Sequence, residues 1–328
     1  MNARYRWAAA ALAIGIGIGA IVWSILAGAE PPAGSLFVAA AAAPVAVLLA
    51  VLGRTGERLP TRALAGGAVA GPLVAIVGHA VVFAFAAAFF LGFLDSGRAL
   101  LDSLRVDPRI TDVLSSPWVL LLLVDLSVVA PLTEETGKAL GARFARPATR
   151  GEAFVAGVTA GTGFAIVENV LYATMGALFG GPWGAIVVAR AMGAAVHPLA
   201  TGLVMTGWWD ARHGRGGAAL ARGFFAGAGV HAVWNGAMVA LVVAGTAIRV
   251  NGAPGMTGAA SLAFTGALGV VGAAVLWVVT GAVADGRDPA TAVRPAEART
   301  VAAWVLLAAS LLVPVAIIVV AFPSFYLG

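Results

Sequence analysis

Two adjacent glutamates and a lysine lie within one helical turn at the end of an apolar segment. Glu134, Glu135 and Lys138 follow the largely apolar residues 117–132, and Lys138 is the only lysine among 328 residues. Because Lys138 is three and four residues from the glutamates, the three side chains can share one helical face. They could form an ion pair at the membrane rim, or one carboxylate could accept a proton from water as a general base. A charge near the centre of a membrane helix costs about 2.5–3.5 kcal/mol, so these residues are expected to be paired or to do chemistry.

Further polar side chains recur on the three apolar segments that follow. They are Glu168 and Asn169 on the first segment, Arg190 and His197 on the second, and His231 and Asn235 on the third, with the aromatic residues Phe164 and Trp234 in the same stretches. Taken singly, each has an ordinary explanation, such as a histidine bound to a carbonyl or an arginine that reaches the interface. Taken together they cannot all face lipid, so we predict that they converge with the glutamates on one interior pocket. Asp125 and His79, in the two preceding apolar segments, are interpreted as structural.

The composition places the chain in a lipid bilayer. It is 61% hydrophobic and 11% charged, whereas an average soluble domain is about 25% charged. The net charge is +5, but the basic residues form no clustered surface of the kind that binds nucleic acid, so no nucleic-acid partner is expected. The chain has no cysteine, which excludes disulfides, thiolate metal sites and a cysteine nucleophile.

Nine apolar segments are long enough to cross a hydrocarbon core of about 30 Å. They fall near residues 7–27, 35–53, 68–94, 117–142, 152–175, 182–209, 217–247, 257–284 and 300–321. The sequence therefore predicts an all-α, polytopic helix bundle in which residues 1–328 form a single integral membrane domain. The polar residues lie on a four-helix core at 117–247, flanked by spans within 7–94 and 257–321. The first segment is interpreted as a retained span, since about 20 apolar residues exceed the roughly 7–15 of a signal-peptide core.

The arginines indicate the orientation of the chain. With the N-terminus in the cytoplasm, fourteen arginines lie inside and only Arg98, Arg105, Arg109 and Arg249 lie outside, while Lys138 and Arg190 are within spans. The inner set is Arg4, Arg6, Arg54, Arg58, Arg62, Arg143, Arg146, Arg150, Arg212, Arg215, Arg222, Arg287, Arg294 and Arg299. Basic residues are enriched in cytoplasmic loops of membrane proteins. We therefore predict a multi-pass protein of the cell membrane with a cytoplasmic N-terminus and an outer C-terminus.

Four short motifs, in this order, resemble the PrsW family of intramembrane proteases. They are Glu134-Glu135-Thr-Gly-Lys138, Phe164-Ala-Ile-Val-Glu168-Asn169, Arg190 with His197-Pro198, and His231-Ala-Val-Trp234-Asn235. The resemblance covers about 117–247, which it marks as the catalytic core. It implies an endopeptidase that cleaves a membrane-anchored protein in the lipid bilayer. A better-known member of the family cleaves a membrane-bound anti-sigma factor in regulated proteolysis, so an anti-sigma factor is one candidate substrate.

The family is also distantly similar to the CAAX prenyl endopeptidases. Their paired glutamates, later histidines and His-x-x-x-Asn element have counterparts here in Glu134 with Glu135, in His197, and in His231 with Asn235. The second motif departs from that pattern, because this chain has Glu168 followed by asparagine where the distant relatives have a histidine.

These residues predict a glutamic-type peptide hydrolysis. Glu134 or Glu135 would activate water as the general base, with the other carboxylate or Lys138 adjusting it by charge. His197 would position the water or share its proton. His231 and Asn235 would donate to the oxyanion, a contribution of about 3–4 kcal/mol per donor. The supporting residues are expected to be Lys138, Phe164, Glu168, Asn169, Arg190 and Trp234.

A zinc-dependent mechanism is the alternative. Glu134, Glu168, His197 and His231 could supply the ligands of a catalytic zinc. The sequence favours a site without a cofactor, because Lys138 and Arg190 would repel a divalent cation and there is no His-x-x-x-His pair. Two other readings stay open. A proton-coupled transporter would also bury Glu, His and Arg, although inverted repeats are not evident, and a non-catalytic scaffold could retain the same pocket.

Overall fold

The computed structural model describes residues 33–90, 121, 123–179, 183–249 and 258–284. In these ranges every regular element is helical, which confirms the all-α prediction. The helices are α1 Ala33–Thr55, α2 Thr61–Phe90, α3 Ala130–Ala142, α4 Arg150–Phe179, α5 Trp183–Met192, α6 Val196–Asp210, α7 Gly216–Arg249 and α8 Gly258–Ala284. A π-helical turn, Asp125–Val129, leads directly into α3, and a 3₁₀ turn, Arg143–Ala145, follows it.

Three helices of the described ranges are long and apolar enough to cross a membrane. These segments are Thr61–Val82 in α2, Arg150–Thr174 in α4 and Phe264–Ala284 in α8, and Ala41–Thr55 in α1 is a shorter apolar stretch. The spans predicted at 7–27 and 300–321 lie outside the described residues. The multi-helix architecture agrees with the sequence, and the total of nine spans stays a prediction.

The single span predicted at 182–209 is wrong in one respect, because two helices occupy this range. A turn at 193–195 separates α5 from α6. Within it, the amide of Val196 donates to the Gly193 carbonyl at 2.9 Å, three residues back. Pro198 has no N–H to offer the carbonyl of Ala194, so a continuous α-helix would leave that group unpaired. The ring of Trp234 also occupies the place that a Cβ at Gly193 would take.

Helix α4 is the centre of the bundle. Every residue from 153 to 165 is buried, and α4 packs against α1, α2 and α6. Gly157 and Gly161 lie against the backbone of α6 at Thr201 and His197, where a Cβ would overlap backbone atoms. Small residues let membrane helices approach closely. This contact fixes the distance at which α6 presents His197 and Thr201 to the rest of the site.

One end of the bundle is closed by arginine contacts. Arg150, at the start of α4, donates two hydrogen bonds to Asp210 at the end of α6, at 2.9 and 3.0 Å. The guanidinium of Arg54 lies 3.7 Å from the ring centre of Trp277 in α8, and that of Arg143 lies 5.5 Å from the ring of Trp208. Gly66, near the start of α2, lies against Gly141 near the end of α3, so the α1–α2, α3–α4 and α6–α7 connections lie at the same end of the molecule.

Candidate active site

Lys138 is the centre of the polar cluster. It is fully buried on α3, and its Nζ lies 3.1 Å from Glu134 Oε2, 2.8 Å from Glu135 Oε1 and 2.8 Å from His197 Nδ1. An ammonium group has three donors and no acceptor, so these three contacts use all of them. Nζ also lies 3.9 Å from the ring centre of Phe164 on α4, a favourable cation–π contact.

The two adjacent glutamates have different surroundings. Glu135 is 0% exposed. Its Oε1 accepts from Lys138 and from His231 Nδ1, the latter at 3.1 Å, and its Oε2 accepts from the Thr201 hydroxyl at 2.7 Å. Glu134 is 6% exposed, and its Oε2, which accepts from Lys138, lies 3.7 Å from His231 Nε2. Glu135 is thus held through both oxygens, and Glu134 is held through Oε2.

The two histidines take defined tautomers from these contacts. His197 Nδ1 accepts from Lys138, so the ring proton lies on Nε2, which is 3.0 Å from Glu168 Oε2. His231 Nδ1 donates to Glu135, which leaves its Nε2 as an acceptor. That Nε2 is buried and without a hydrogen-bond partner. The two imidazole rings meet edge to face with their centres 4.5 Å apart.

Arg190 connects α5 to the motif on α4. Its Nε donates to Asn169 Oδ1 at 2.9 Å, and its Nη2 contacts Glu168. The guanidinium lies 4.9 Å from the ring centre of Tyr172. Nη2 is also 3.2 Å from His197 Nε2, but both nitrogens carry protons in the tautomer above, so this is proximity rather than a hydrogen bond.

The structure brings residues from all four predicted motifs together in one cluster. Trp234 is buried beside it, packed against Met192 and Val196. Asn235 is placed differently, because its Nδ2 donates to the Leu126 carbonyl at 2.9 Å, in the π-helical turn. Thr201 was missed by the sequence reasoning, although it follows His197 by four residues and so shares its helical face.

The donor atoms of Glu134, His197 and His231 are grouped as a metal site requires. One ligand atom from each lies within 4.8 Å of the other two. Two histidines and a carboxylate are a common ligand set of catalytic zinc, and the unpartnered Nε2 of His231 is of the right chemical type. The residue types and their grouping therefore fit a divalent cation, but both ring nitrogens of His197 are engaged, Nδ1 by Lys138 and Nε2 by Glu168, so a cation would have to displace one of these contacts. Glu168, the fourth ligand predicted, is paired with Arg190.

A family model described as PrsW family intramembrane metalloprotease matches residues 59–279. The chain belongs to the PrsW family. The match extends from the α1–α2 loop into α8, beyond the four-motif region from which the sequence resemblance was drawn. No curated protein and no solved structure gives a significant match. Membership of the PrsW family makes the chain a membrane-embedded protease whose substrate is a membrane protein, and the name of the family includes metal dependence.

Proposed function

We propose that this PrsW-family protein hydrolyses a peptide bond of a membrane-anchored protein, with Glu134 as the general base. The observation that carries the proposal is the unequal environment of the two glutamates. Glu135 accepts hydrogen bonds from Lys138, His231 and Thr201. A general base needs an oxygen free to take a proton from water, and Glu134, which is held only through Oε2, meets that need better.

The proton transfers follow from this assignment. Glu134 would take a proton from water as the oxygen attacks the peptide carbonyl carbon, and would return it to the amine when the C–N bond breaks. His231 faces the same region through Nε2, 3.7 Å from Glu134 Oε2. When this nitrogen is protonated it would donate to the oxyanion, and the Glu135 carboxylate at Nδ1 would stabilise the positive imidazolium.

His197 and Lys138 would hold Glu134 in place. Lys138 Nζ spans Glu134 Oε2 and His197 Nδ1, so α3 and α6 share one charged contact. Glu168, itself paired with Arg190, would in turn accept from the Nε2 of His197. Phe164, Asn169 and Trp234 pack or bond around this group and would act as supports.

A metal-dependent form of the same reaction is the second candidate, favoured by the ligand grouping and by the family description. Glu134, His197 and His231 would hold the metal, and the bound ion would supply a Lewis acid for the water and the peptide carbonyl. Lys138 distinguishes the two mechanisms, because its ammonium group attracts the carboxylate of a general base but repels a divalent cation. Elemental analysis of purified active protein, with chelation and zinc readdition, decides between them. Full activity in chelator supports the metal-free form, and loss of activity reversed by zinc contradicts it.

The protease assignment is tested with purified protein in lipid vesicles. Wild type should cleave at least one of a set of tagged single-span membrane proteins, with a membrane-bound anti-sigma factor included first. Glu134→Gln should abolish cleavage with little change in thermal stability. Glu57→Gln, in the α1–α2 loop, is the matched control and should keep full activity. Cleavage by Glu134→Gln at the wild-type rate would show that Glu134 is not the general base.

A further inference from the structure

A π-helical turn lies immediately before the helix that carries the two glutamates. It spans Asp125–Val129, and the amide of Ala130 donates to the Asp125 carbonyl, five residues back. Glu134 follows the last residue of the turn by five positions. A π turn holds one residue more than an α turn, so its loss would rotate α3 against the preceding segment by about 100°. The turn therefore sets the direction in which Glu134 points.

The next carbonyl of the same turn has lost its backbone donor. In the five-residue pattern the Leu126 carbonyl would accept from the amide of residue 131, but residue 131 is a proline and has no N–H. The Asn235 side chain, from α7, donates to this carbonyl through Nδ2 at 2.9 Å. Backbone carbonyls in a membrane must be satisfied within the protein. Asn235 thus supplies the hydrogen bond that Pro131 cannot.

The turn is also held by a histidine–aspartate pair. Asp125 is buried at the first position of the turn, and its Oδ1 and Oδ2 lie 2.7 and 2.8 Å from His79 Nδ1 on α2. On α3 itself, the Thr133 hydroxyl donates to the Val129 carbonyl at 2.9 Å. Side chains from α2, α3 and α7 therefore all contact this turn, His79 through the Asp125 carboxylate and Thr133 and Asn235 through backbone carbonyls.

We propose that Asn235 is a positioning residue that acts through the Leu126 carbonyl, in place of the oxyanion donor expected from the sequence. It replaces the missing amide of Pro131, preserves the π turn and so keeps Glu134 in line with His197 and His231. The His79–Asp125 pair is the second anchor of the same turn. The consequence for catalysis rests on the function proposed above, whereas the hydrogen-bond replacement does not.

The test is a rescue experiment on Pro131 and Asn235. Asn235→Ala should lower the Tm in detergent and reduce cleavage of the tagged single-span substrates at least tenfold. Pro131→Ala restores an N–H near the Leu126 carbonyl, so the double variant Pro131→Ala/Asn235→Ala should recover most of the lost Tm and a clear part of the cleavage. The matched control is Pro72→Ala, which replaces a proline inside α2. Combined with Asn235→Ala, it should restore neither the Tm nor the cleavage.

The possible results separate the two roles of Asn235. Loss of cleavage at unchanged Tm, with no recovery in the double variant, would identify an oxyanion donor and overturn the proposal. Additive effects of the two changes on Tm would also overturn it. If Asn235→Ala alone yields no folded protein, recovery of folded protein in the double variant supports the proposal, and its absence counts against it. If wild type cleaves nothing, the Tm coupling between Pro131 and Asn235 still decides the matter.

Discussion

At the scale of single residues, the site depends on one buried ammonium group. Lys138 lies between two carboxylates and an imidazole, at 2.8 to 3.1 Å from each. When both are ionised, Glu134 and Glu135 carry two negative charges against its one positive charge. Removal of the ammonium would leave both carboxylates uncompensated in a low-dielectric interior, whereas Glu134→Gln would still leave the Glu135 carboxylate opposite the ammonium.

Lys138→Met should therefore destabilise the protein by about 3–5 kcal/mol. The substitution keeps an unbranched side chain of nearly the same length but leaves Glu134 and Glu135 buried without their cation. Thermal unfolding in detergent measures the effect. Arg222→Met, at an exposed position of α7, is the control and should change the Tm little. An unchanged Tm for Lys138→Met would mean that the glutamates are not charged in the folded protein.

Thr201→Val should weaken the site while preserving its shape. The change removes the hydroxyl that donates to Glu135 Oε2, and a hydrogen bond to a charged group contributes about 1.5–3 kcal/mol. We expect a lower Tm and slower cleavage, with Thr201→Ser close to wild type. Thr206→Val is the matched control, because the Thr206 hydroxyl bonds the Gly202 carbonyl of its own helix. Equal losses at both positions would contradict a special role for Thr201.

The sequence predicted which residues contact one another, and the structure adds which oxygen of each glutamate is held and by which partner. The spacing of Glu134, Glu135 and Lys138 predicted their contact, because three and four residues place side chains on one helical face. The difference between the two glutamates was not predictable. It depends on Thr201 and His231, which lie 66 and 96 residues further along the chain than Glu135, and no local pattern records which oxygen they reach.

At the scale of helices, irregular elements and close contacts place the side chains. The break at 193–195 starts α6 just before His197, and the π-helical turn leads into α3. The length of the apolar segments predicted most helices of the described ranges, since an apolar run of about 20 residues is long enough to cross a bilayer as a helix. It missed the break in 182–209 and the π turn, because hydropathy does not record backbone hydrogen bonds.

Gly161→Ala should distort the site although it replaces none of its polar residues. A Cβ at Gly161 would overlap the backbone carbonyl of His197, which cannot move without α6. Overpacking of this kind costs about 1–3 kcal/mol, and the shift of His197 should also slow cleavage. Gly229→Ala is the matched control: it lies in α7 with open space around its Cβ position, and there alanine should be neutral or stabilising. The two Tm values, compared in one detergent, test the prediction.

At the scale of the whole molecule, charge is distributed unevenly along the bundle axis. The arginine-rich connections α1–α2, α3–α4 and α6–α7 lie at the same end, as the contacts of Arg54, Arg143 and Arg150 indicate. The positive-inside rule assigns such an end to the cytoplasm. The predicted single domain at 1–328 and the position of both termini rest on residues that the structure does not describe.

Reporter fusions test this topology directly. Fusions at Gly56 and Gly214, in the α1–α2 and α6–α7 connections, should both report the cytoplasmic side. A fusion at Gly328 should report the opposite side if the chain crosses the membrane nine times with its N-terminus inside. The same side for Gly214 and Gly328 would show that one span was miscounted, and different sides for Gly56 and Gly214 would contradict the helix arrangement.

The ion pairs of the site differ in how far apart their partners lie along the chain, and this bears on biosynthesis. Lys138 reaches both glutamates within its own helix, so α3 can enter the membrane with its counter-ion already in place. Glu168 and Arg190 belong to different helices, and each alone would carry an unpaired charge into lipid at a cost of about 2.5–3.5 kcal/mol. We therefore expect α4 and α5 to leave the translocon together, as a hairpin whose charges are already paired.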